Sequence, residues 1–176
     1  MRVRAATAAD LGQITAIYRQ NVETSAASFE IEPPNAGEME RRWRAVTAAR
    51  CPYLVAEVDD TVAGFAYARQ FHERAAFAWT VENSVYVAPG HARRGIGRAL
   101  LAELIEQAAT AGFRQMIALI SSDAEAASVP LHTALGFTVA GRLHGVGFKQ
   151  GRWHDIVHMQ RSLGAGSDTV PHEADG

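Results

Sequence analysis

The segment that most constrains the fold is a basic, glycine-rich loop that joins a short β-rich run to an amphipathic helix. The run covers residues 85–87, the loop reads APGHARRGIG, and the helical pattern begins at Arg98. A helix N-terminus favours anions through its unpaired N–H groups and partial positive charge, and glycine lets a phosphate approach the backbone closely. Arg93 and Arg94 add positive charge beside that backbone. The segment therefore predicts a site for a pyrophosphate-bearing ligand.

Composition and charge narrow the class of protein. The chain has 176 residues, 48% of them hydrophobic, which suits one folded domain with a sizeable core. A formal net charge of −2 disfavours a general nucleic-acid binder. The single cysteine, Cys51, excludes an internal disulfide, and the sequence shows neither a membrane-length apolar segment nor a signal-peptide pattern. We therefore expect a cytoplasmic protein that binds neither nucleic acid nor a membrane.

The loop differs from the common nucleotide-binding loops. Gly95 and Gly97 lack the third glycine of the dinucleotide fingerprint, and no P-loop Lys-Ser/Thr pair follows them. Nucleoside triphosphates and dinucleotides are therefore disfavoured. The seven histidines are scattered without metal-ligand spacing, so no metal site is predicted.

Hydrophobic periodicity predicts strands and helices in alternation. The predicted strands cover residues 3–6, 53–58, 62–69, 79–87, 116–120, 137–148 and 153–159, with helical patterns after residue 7, after the break at 32–35, after the glycine-rich loop and within 121–135. The nearly all-apolar strand 116–120 is expected to be buried on both faces. This order predicts one α/β layer structure over residues 1–163. Residues 164–176 have little to bury and predict a disordered C-terminal tail.

Several stretches beyond the loop are distinctive in combination. They are Glu23-Thr24-Ser25 with Phe29 and Glu32-Pro33, the segment 74–77, the run 79–87, the segment 131–137, and the segment 147–155 that includes Gly-Phe-Lys and Gly-Arg-Trp-His-Asp. Together with the loop, they resemble the GCN5-related N-acetyltransferase (GNAT) superfamily, and most closely its phosphinothricin and methionine sulfoximine acetyltransferase branch. The resemblance covers about residues 2–163.

This resemblance implies an α/β (α+β) fold. A single GNAT-type domain is expected to contain a mixed, mostly antiparallel sheet, splayed between its fourth and fifth strands and flanked by helices. Acetyl-CoA, the implied co-substrate, would lie in the gap between the strands at 79–87 and 116–120. No metal is implied. Branch members usually associate as dimers, so a homodimer is expected.

The resemblance also implies which residues contact acetyl-CoA. They are Val85, Tyr86, Val87, Arg93, Arg94, Gly95, Ile96, Gly97, Arg98, Glu125 and Ser128. Backbone groups of the first three would bind the pantetheine arm, and those of 93–98 the pyrophosphate. Two residues depart from the family pattern. Ala92 stands where Gln or Arg is usual, and Glu125 replaces a usual Asn, which exchanges a donor for an acceptor.

Two side chains are candidates for proton transfer. By the resemblance, Glu82 is the general base, acting directly or through a water. The alternative is that Glu82 only pairs with an arginine such as Arg74. His132 lies where the branch commonly has a histidine and the wider superfamily a tyrosine that protonates the leaving thiolate. The alternative for His132 is a structural histidine packed on the last helix.

Three residues resemble the branch's substrate-binding residues. Arg74 is expected to bind a substrate carboxylate bidentately, Phe77 belongs to the same substrate-binding segment, and Phe29 is expected to supply an apolar wall. Core packing is the alternative for both phenylalanines. Lys149 is expected to lie in a solvated turn rather than to neutralise substrate charge.

The implied function is acetyl transfer from acetyl-CoA to the α-amine of a small amino-acid analogue by direct attack in a ternary complex. Phosphinothricin, methionine sulfoximine and methionine sulfone are the implied substrates. One alternative is an acetyltransferase for another amine, such as a protein N-terminus or a small amine. A second alternative is a CoA-binding regulator without catalysis, which the retention of Glu82 and His132 disfavours.

Overall fold

A seven-stranded sheet forms the centre of the computed structural model, which describes residues 1–171. Its strands are β1 (Arg2–Ala5), β2 (Tyr53–Val58), β3 (Thr61–Gln70), β4 (Thr80–Val87), β5 (Gln115–Ser121), β6 (Thr138–Lys149) and β7 (Arg152–Ser162). The helices are α1 (Leu11–Thr24), α2 (Ala36–Ala48), α3 (Ile96–Thr110) and α4 (Glu125–Thr133), with short 3-10 turns at Ala8–Asp10 and Ala75–Phe77. The strand order is β1-β2-β3-β4-β5-β7-β6, and neighbouring strands are antiparallel except β4 and β5. The predicted fold class is confirmed.

Helices cover both faces of the first half of the sheet. Tyr53 and Val55 of β2 pack with α1 and α2 on one face, whereas Leu54 and Ala56 pack with α3 on the other. A strand that is buried on both faces needs no polar alternation, which explains the continuous apolar run at the start of β2. Among the described helices, none combines the length and the apolar character needed to cross a membrane.

Gly64 of β3 allows α3 to lie close to the sheet. A Cβ atom at this position would lie 2.8 Å from the Tyr86 carbonyl oxygen and 3.2 Å from Leu100 Cδ1. A side chain here would therefore push α3, and the glycine-rich loop before it, away from β4.

Strands β4 and β5 pair over only part of their length. Residues 80–83 pair with residues 115–118, after which β4 continues beside β3 alone and β5 continues beside β7 alone. The sheet therefore opens between its fourth and fifth strands, as predicted. Leu119 lies in this opening and is 38% exposed, so the expectation that β5 is buried on both faces is wrong at this residue.

Residues 164–169, which belong to the predicted tail, form turns and bends beside Arg114, the residue before β5. Arg114 Nε donates to the Gly166 carbonyl oxygen at 2.9 Å, and Arg114 Nη2 donates to the Thr169 carbonyl oxygen at 3.1 Å. The part of that prediction that concerns residues 172–176 lies outside the described residues.

Candidate active site

The opening between β4 and β5 leads into a cleft of about 1460 Å³. The end of β4 and the loop before α3 contribute one part of its lining, β5, α4 and the segment between α1 and α2 contribute another, and residues of α1, α2, β3 and β7 also line it. The candidate residues that line the cleft are Phe29, Glu82, Val85, Tyr86, Val87, Arg93, Gly95, Ile96, Gly97, Arg98, Ser128 and His132. The fold therefore brings most of the predicted cofactor and catalytic residues together.

Gly95 shapes the loop before α3. It is the N-cap residue with φ 79° and ψ −2°, a left-handed conformation that glycine adopts without strain. The Ala99 N–H donates to the Gly95 carbonyl oxygen at 3.0 Å, so the N–H groups of residues 96–98 have no acceptor within the helix. These N–H groups, together with the cleft-lining Arg93 and Arg98, fit a pyrophosphate.

The backbone of β4 has one free edge beyond residue 83. Val85, Tyr86 and Val87 pair with residues 64–66 of β3, and their other edge has no strand partner among the described residues. Backbone groups on that edge are open to the cleft and match an extended arm that contains amides.

The Tyr86 side chain packs in the core. The Tyr86 ring centroid lies 5.0 Å from those of Tyr18 and Phe65. Burial raises the pKa of the Tyr86 hydroxyl well above its ordinary value. The ring therefore stabilises the strand from within the core.

Glu82 lies on β4 directly opposite Arg69 on β3. Arg69 Nη2 donates to Glu82 Oε1 at 2.9 Å, and the Glu82 side chain is 13% exposed. No hydrogen bond from the described residues reaches the second carboxylate oxygen. Pairing with an arginine therefore occurs, but the partner is Arg69 rather than Arg74, and one oxygen stays available to a bound amine or water.

Both ring nitrogens of His132 face acceptors. Nδ1 lies 2.7 Å from the Ser128 carbonyl oxygen, and Nε2 lies 3.1 Å from Asn83 Oδ1. The residue is 5% exposed, and its ring packs edge-on against Phe137. Burial lowers the pKa of His132, while the hydrogen bond to the Ser128 carbonyl raises it. A neutral imidazole donates to one of these acceptors and an imidazolium to both, so the geometry fits a structural histidine that also borders the cleft.

Asn83 lies where β4 and β5 separate, and sequence reasoning did not identify it. Asn83 and Ala118 form the last pair of the parallel ladder. The buried Asn83 side chain donates from Nδ2 to the Ile117 carbonyl oxygen at 3.0 Å, which turns Oδ1 toward His132. One side chain therefore connects β4, β5 and α4 at the point where the two strands separate.

The three predicted substrate residues fall in two places. Phe29 lines the cleft, whereas Arg74 and Phe77 lie at the 3-10 turn before β4 and do not line it. Phe77 is 37% exposed, and its ring centroid lies 5.8 Å from that of Phe71. A single chain therefore does not bring Arg74 and Phe77 to Glu82.

The cleft contains polar groups that the sequence analysis missed, notably Tyr18, Arg42 and Arg69. The Tyr18 hydroxyl donates to Glu30 Oε1 at 2.8 Å, and Arg42 Nη1 donates to the same oxygen at 2.6 Å. Burial raises the pKa of Tyr18 to about 12. Nothing in the local sequence marks these side chains, because tertiary packing brings them to the cleft. Within residues 1–171, no cluster of three or more His, Cys, Asp or Glu side chains is arranged to hold a metal ion.

Two predicted cofactor residues, Glu125 and Arg94, do not line the cleft and contact neighbouring side chains. Arg142 Nη2 donates to Glu125 Oε1 at 2.5 Å, which holds this carboxylate against β6. The Arg94 guanidinium lies 3.4 Å from His91 Nδ1. Ser128, about one helical turn after Glu125, does line the cleft. The geometry therefore supports Ser128 more strongly than Glu125 as a ligand contact.

Comparison with known proteins decides the family, because the acetyltransferase (GNAT) domain model matches residues 3–158. The protein belongs to the GNAT acetyltransferases. This acetyltransferase is 48% identical over 162 residues to phosphinothricin N-acetyltransferase of Alcaligenes faecalis, with 92% of this chain and 82% of the relative covered. It is 39% identical over 163 residues to the L-methionine sulfoximine/L-methionine sulfone acetyltransferase of Salmonella typhimurium strain LT2, with 93% of this chain and 95% of the relative covered.

Solved structures of related acetyltransferases agree with this family. The phosphinothricin acetyltransferase from Sinorhizobium meliloti in complex with AcCoA has a TM-score of 0.95 and 45% identity, covering 98% of this chain and 94% of that chain. Ribosomal-protein-alanine N-acetyltransferase from Brucella melitensis has a TM-score of 0.90 and 38% identity, covering 93% of this chain and 100% of that chain. The predicted family, its similarity to the phosphinothricin and methionine sulfoximine branch, and the class of acetyl-CoA-dependent acetyltransferase are confirmed.

Proposed function

We propose that the protein acetylates the α-amine of a small amino-acid analogue, such as phosphinothricin, methionine sulfoximine or methionine sulfone. The observation that carries this proposal is the position of Glu82. Its carboxylate lines the cleft two residues before the free backbone edge at 84–87. A base and a thioester site on the same strand would bring the amine proton and the reacting carbonyl together. The names of the relatives supply the substrate class.

Acetyl-CoA fits the same cleft through backbone groups. The free edge of β4, toward which Val85 and Val87 direct their backbone groups, suits the pantetheine amides, and the N–H groups of residues 96–98 suit the pyrophosphate. Arg93 and Arg98 supply positive charge there. Acetyl-CoA, when bound, supplies an activated acetyl thioester. Ala92 does not impair this mode of binding, because the N–H groups belong to the backbone.

Direct attack requires the chain to move two protons. The free oxygen of Glu82 accepts a proton from the amine, directly or through a water, and so frees the lone pair that forms the new N–C bond. As the thioester C–S bond breaks, the departing thiolate takes a proton, for which His132 is the proposed donor. Burial raises the pKa of the Cys51 thiol, which disfavours a thiolate nucleophile and a covalent acetyl-enzyme.

Phe29 is the proposed apolar wall beside the amine substrate. Arg74 and Phe77 remain proposed substrate contacts, but they lie outside the cleft of a single chain. Their participation therefore requires a movement of the segment at 74–77 or its contribution by a second subunit. Arg69, which lines the cleft and keeps more than half of its side chain exposed, is a further candidate for the substrate carboxylate.

We also propose a homodimer. Strand β6 is the last strand of the sheet, and the β6–β7 hairpin exposes several large apolar side chains. They are Val139, Leu143, Val146, Phe148 and Trp153. A second copy that covers this patch would remove it from water. Light scattering with size-exclusion chromatography would give a dimer mass, and Leu143→Glu would shift the mass to that of a monomer. A wild-type monomer mass would refute the proposal.

A second candidate substrate is the N-terminus of a protein, as the name of the Brucella melitensis relative suggests. Thiol release from acetyl-CoA, measured over a panel of amino-acid analogues, small amines and alanine-starting peptides, separates the two candidates. We expect the highest kcat/KM for the amino-acid analogues. A preference for the peptides would replace the proposed substrate class, and no thiol release with any amine would contradict catalysis by this cleft.

A further inference from the structure

Lys149 is the one lysine among the seventeen basic residues of the chain, and it is buried. It ends β6 and is 5% exposed, so the expectation of a solvated turn is wrong. Its Nζ donates to three backbone carbonyl oxygens, those of Val22 at 2.7 Å, Ser25 at 2.8 Å and Ser28 at 2.8 Å. All three N–H donors of the ammonium are therefore used on the last turn of α1 and the segment that follows it.

The chemistry of the site matches an ammonium group and not a guanidinium. Three acceptors converge on one nitrogen, whereas arginine presents its donors as a planar fork. The Val22 carbonyl belongs to the last turn of α1, where the carbonyl ends carry partial negative charge. Burial lowers the pKa of Lys149, and the carboxylates of Glu30 and Asp123 raise it. Lys149 forms no ion pair with a carboxylate within residues 1–171, so the backbone carbonyls are its direct partners.

The segment held by Lys149 carries Phe29. The Phe29 ring packs so closely on β6 that a Cβ atom at Gly147 would lie 2.2 Å from Phe29 Cε1. On another side, the ring centroid lies 6.0 Å from that of the fully buried His154. His154 Nε2 in turn lies 3.1 Å from the Lys149 carbonyl oxygen. The end of β6 and the start of β7 therefore form the surface on which Phe29 packs. The Lys149 ammonium holds the segment that carries Phe29 against this surface.

We propose that Lys149 is a positioning residue for the amine site, which acts by holding residues 25–29 so that Phe29 forms a wall of the cleft. This inference rests on the proposed function, because it assumes that the amine binds beside Phe29. It assigns no chemical step to Lys149. The acetyl-CoA side of the cleft, at 85–87 and 93–98, makes no contact with the ammonium. Loss of the ammonium should therefore affect the amine selectively.

Lys149→Met tests the proposal, because it keeps a long unbranched side chain, one atom shorter than lysine, and removes every donor. We expect the KM for the amine to rise about tenfold, with the KM for acetyl-CoA unchanged. Phe29→Ala should raise the same KM, and the double variant should be no worse than the poorer single variant, since both act through one wall. Arg44→Met, which removes an exposed cation that pairs with Glu40, is the matched control and should leave both KM values unchanged. An unchanged amine KM in Lys149→Met, or effects that multiply in the double variant, would overturn the proposal.

A measurement without substrate separates this inference from the proposed function. Hydrogen exchange of the peptide spanning residues 22–31 should be faster in Lys149→Met than in the wild type, with exchange of residues 93–101 unchanged. Selective 15N labelling of lysine should give a single, slowly exchanging ammonium resonance in the wild type, since Lys149 is the one lysine. Rapid exchange of that ammonium, or unchanged exchange at 22–31, would overturn the inference even if the enzyme acetylates amino acids. If no amine is acetylated, the proposed function fails. These two results still decide whether Lys149 holds residues 25–29 in place.

Lys149→Gln keeps an amide NH2 group with two of the three N–H donors, and it serves if Lys149→Met does not fold. Retained acetyl-CoA binding, measured by calorimetry, is the criterion for folding. Lys149→Gln should show the same selective increase in the KM for the amine, smaller than the increase of about tenfold expected for Lys149→Met. Equal increases in the KM for the amine and for acetyl-CoA would show a general loss of structure and contradict a positioning role.

Discussion

The Asn83 side chain bridges the two strands that separate to form the cleft, because its Nδ2 donates to the Ile117 carbonyl oxygen at 3.0 Å. Asn83 is also the last β4 residue that pairs with β5. The bond therefore satisfies a β5 carbonyl at the point where the backbone ladder stops. Through Oδ1, the same side chain faces His132, so the start of the cleft and the position of α4 depend on one amide.

Asn83→Ala should lower the free energy of unfolding by about 1–3 kcal/mol, because it leaves a buried acceptor without a donor. The KM for acetyl-CoA should rise as well, since the free edge of β4 begins at the next residue. Denaturant unfolding and steady-state kinetics measure the two effects. Gln107→Ala, which removes an exposed amide bonded to Glu103 on α3, is the control and should change neither quantity. Wild-type stability in Asn83→Ala would show that the hydrogen bond from Asn83 to the Ile117 carbonyl does not stabilise the junction of β4 and β5.

Gly95→Ala should weaken acetyl-CoA binding and cost about 1–2 kcal/mol of stability, because a side chain is strained in the left-handed conformation. The φ of Gly95 is 79°, and open space surrounds the position of a Cβ, so the cost comes from the backbone alone. Gly12→Ala in α1 is the matched control and should raise stability by about 0.5–1 kcal/mol, since its backbone is helical. Thermal unfolding and calorimetric titration with acetyl-CoA provide the readouts. Equal effects of the two substitutions would refute the conformational argument.

Asp10 should make the protein less stable in acid. Hydrogen bonds from Arg4, which are the largest cause, and from Thr7 lower the pKa of Asp10 from 3.8 to about 2. The unfolded chain therefore binds more protons than the folded chain between these values, so the stabilisation present above pH 4 is lost as the pH falls toward about 2. The amount is about 2 kcal/mol for this nearly buried carboxylate.

Asp10→Asn should lower the free energy of unfolding at pH 7 and flatten its decline between about pH 4 and pH 2. Urea unfolding across this range measures both changes. Asp60→Asn is the control and replaces a carboxylate in the β2–β3 turn. The backbone of Asp60 is left-handed, which asparagine tolerates. This substitution should leave the dependence of the free energy of unfolding on pH unchanged. An acid profile in Asp10→Asn that matches the wild type would assign the acid sensitivity to other groups.

Local patterns in the sequence predicted much of the fold. The strand at residues 53–58 has the predicted bounds, because its apolar run and the Asp59-Asp60 turn are local signals. The splay of the sheet was available only through the resemblance to a family. Leu119 belongs to an apolar run that indicated burial on both faces, but the opening of the sheet exposes it. A local pattern does not show where two strands part.

The candidate site was harder to predict, because its contacts join distant parts of the chain. Lys149 follows a strand and precedes a Gln-Gly turn, which indicates solvent, yet its three acceptors lie more than 120 residues earlier. Arg69, and not Arg74, pairs with Glu82 because strand register sets the partner. Arg142 on β6 donates to one oxygen of the Glu125 carboxylate, a pairing that position in the sequence does not indicate. These outcomes depend on register and tertiary packing, which a motif does not encode.

The role of Glu82 as the base is tested most directly by thiol release from acetyl-CoA with methionine sulfoximine in Glu82→Gln, compared with the wild type. The amide keeps the shape of the side chain and cannot act as a base, so kcat should fall at least about 100-fold while acetyl-CoA binding stays unchanged. Glu103→Gln, a substitution of an exposed carboxylate on α3, should retain wild-type turnover. Thiol release by Glu82→Gln at the wild-type rate would contradict the assignment of Glu82 as the base that activates the amine.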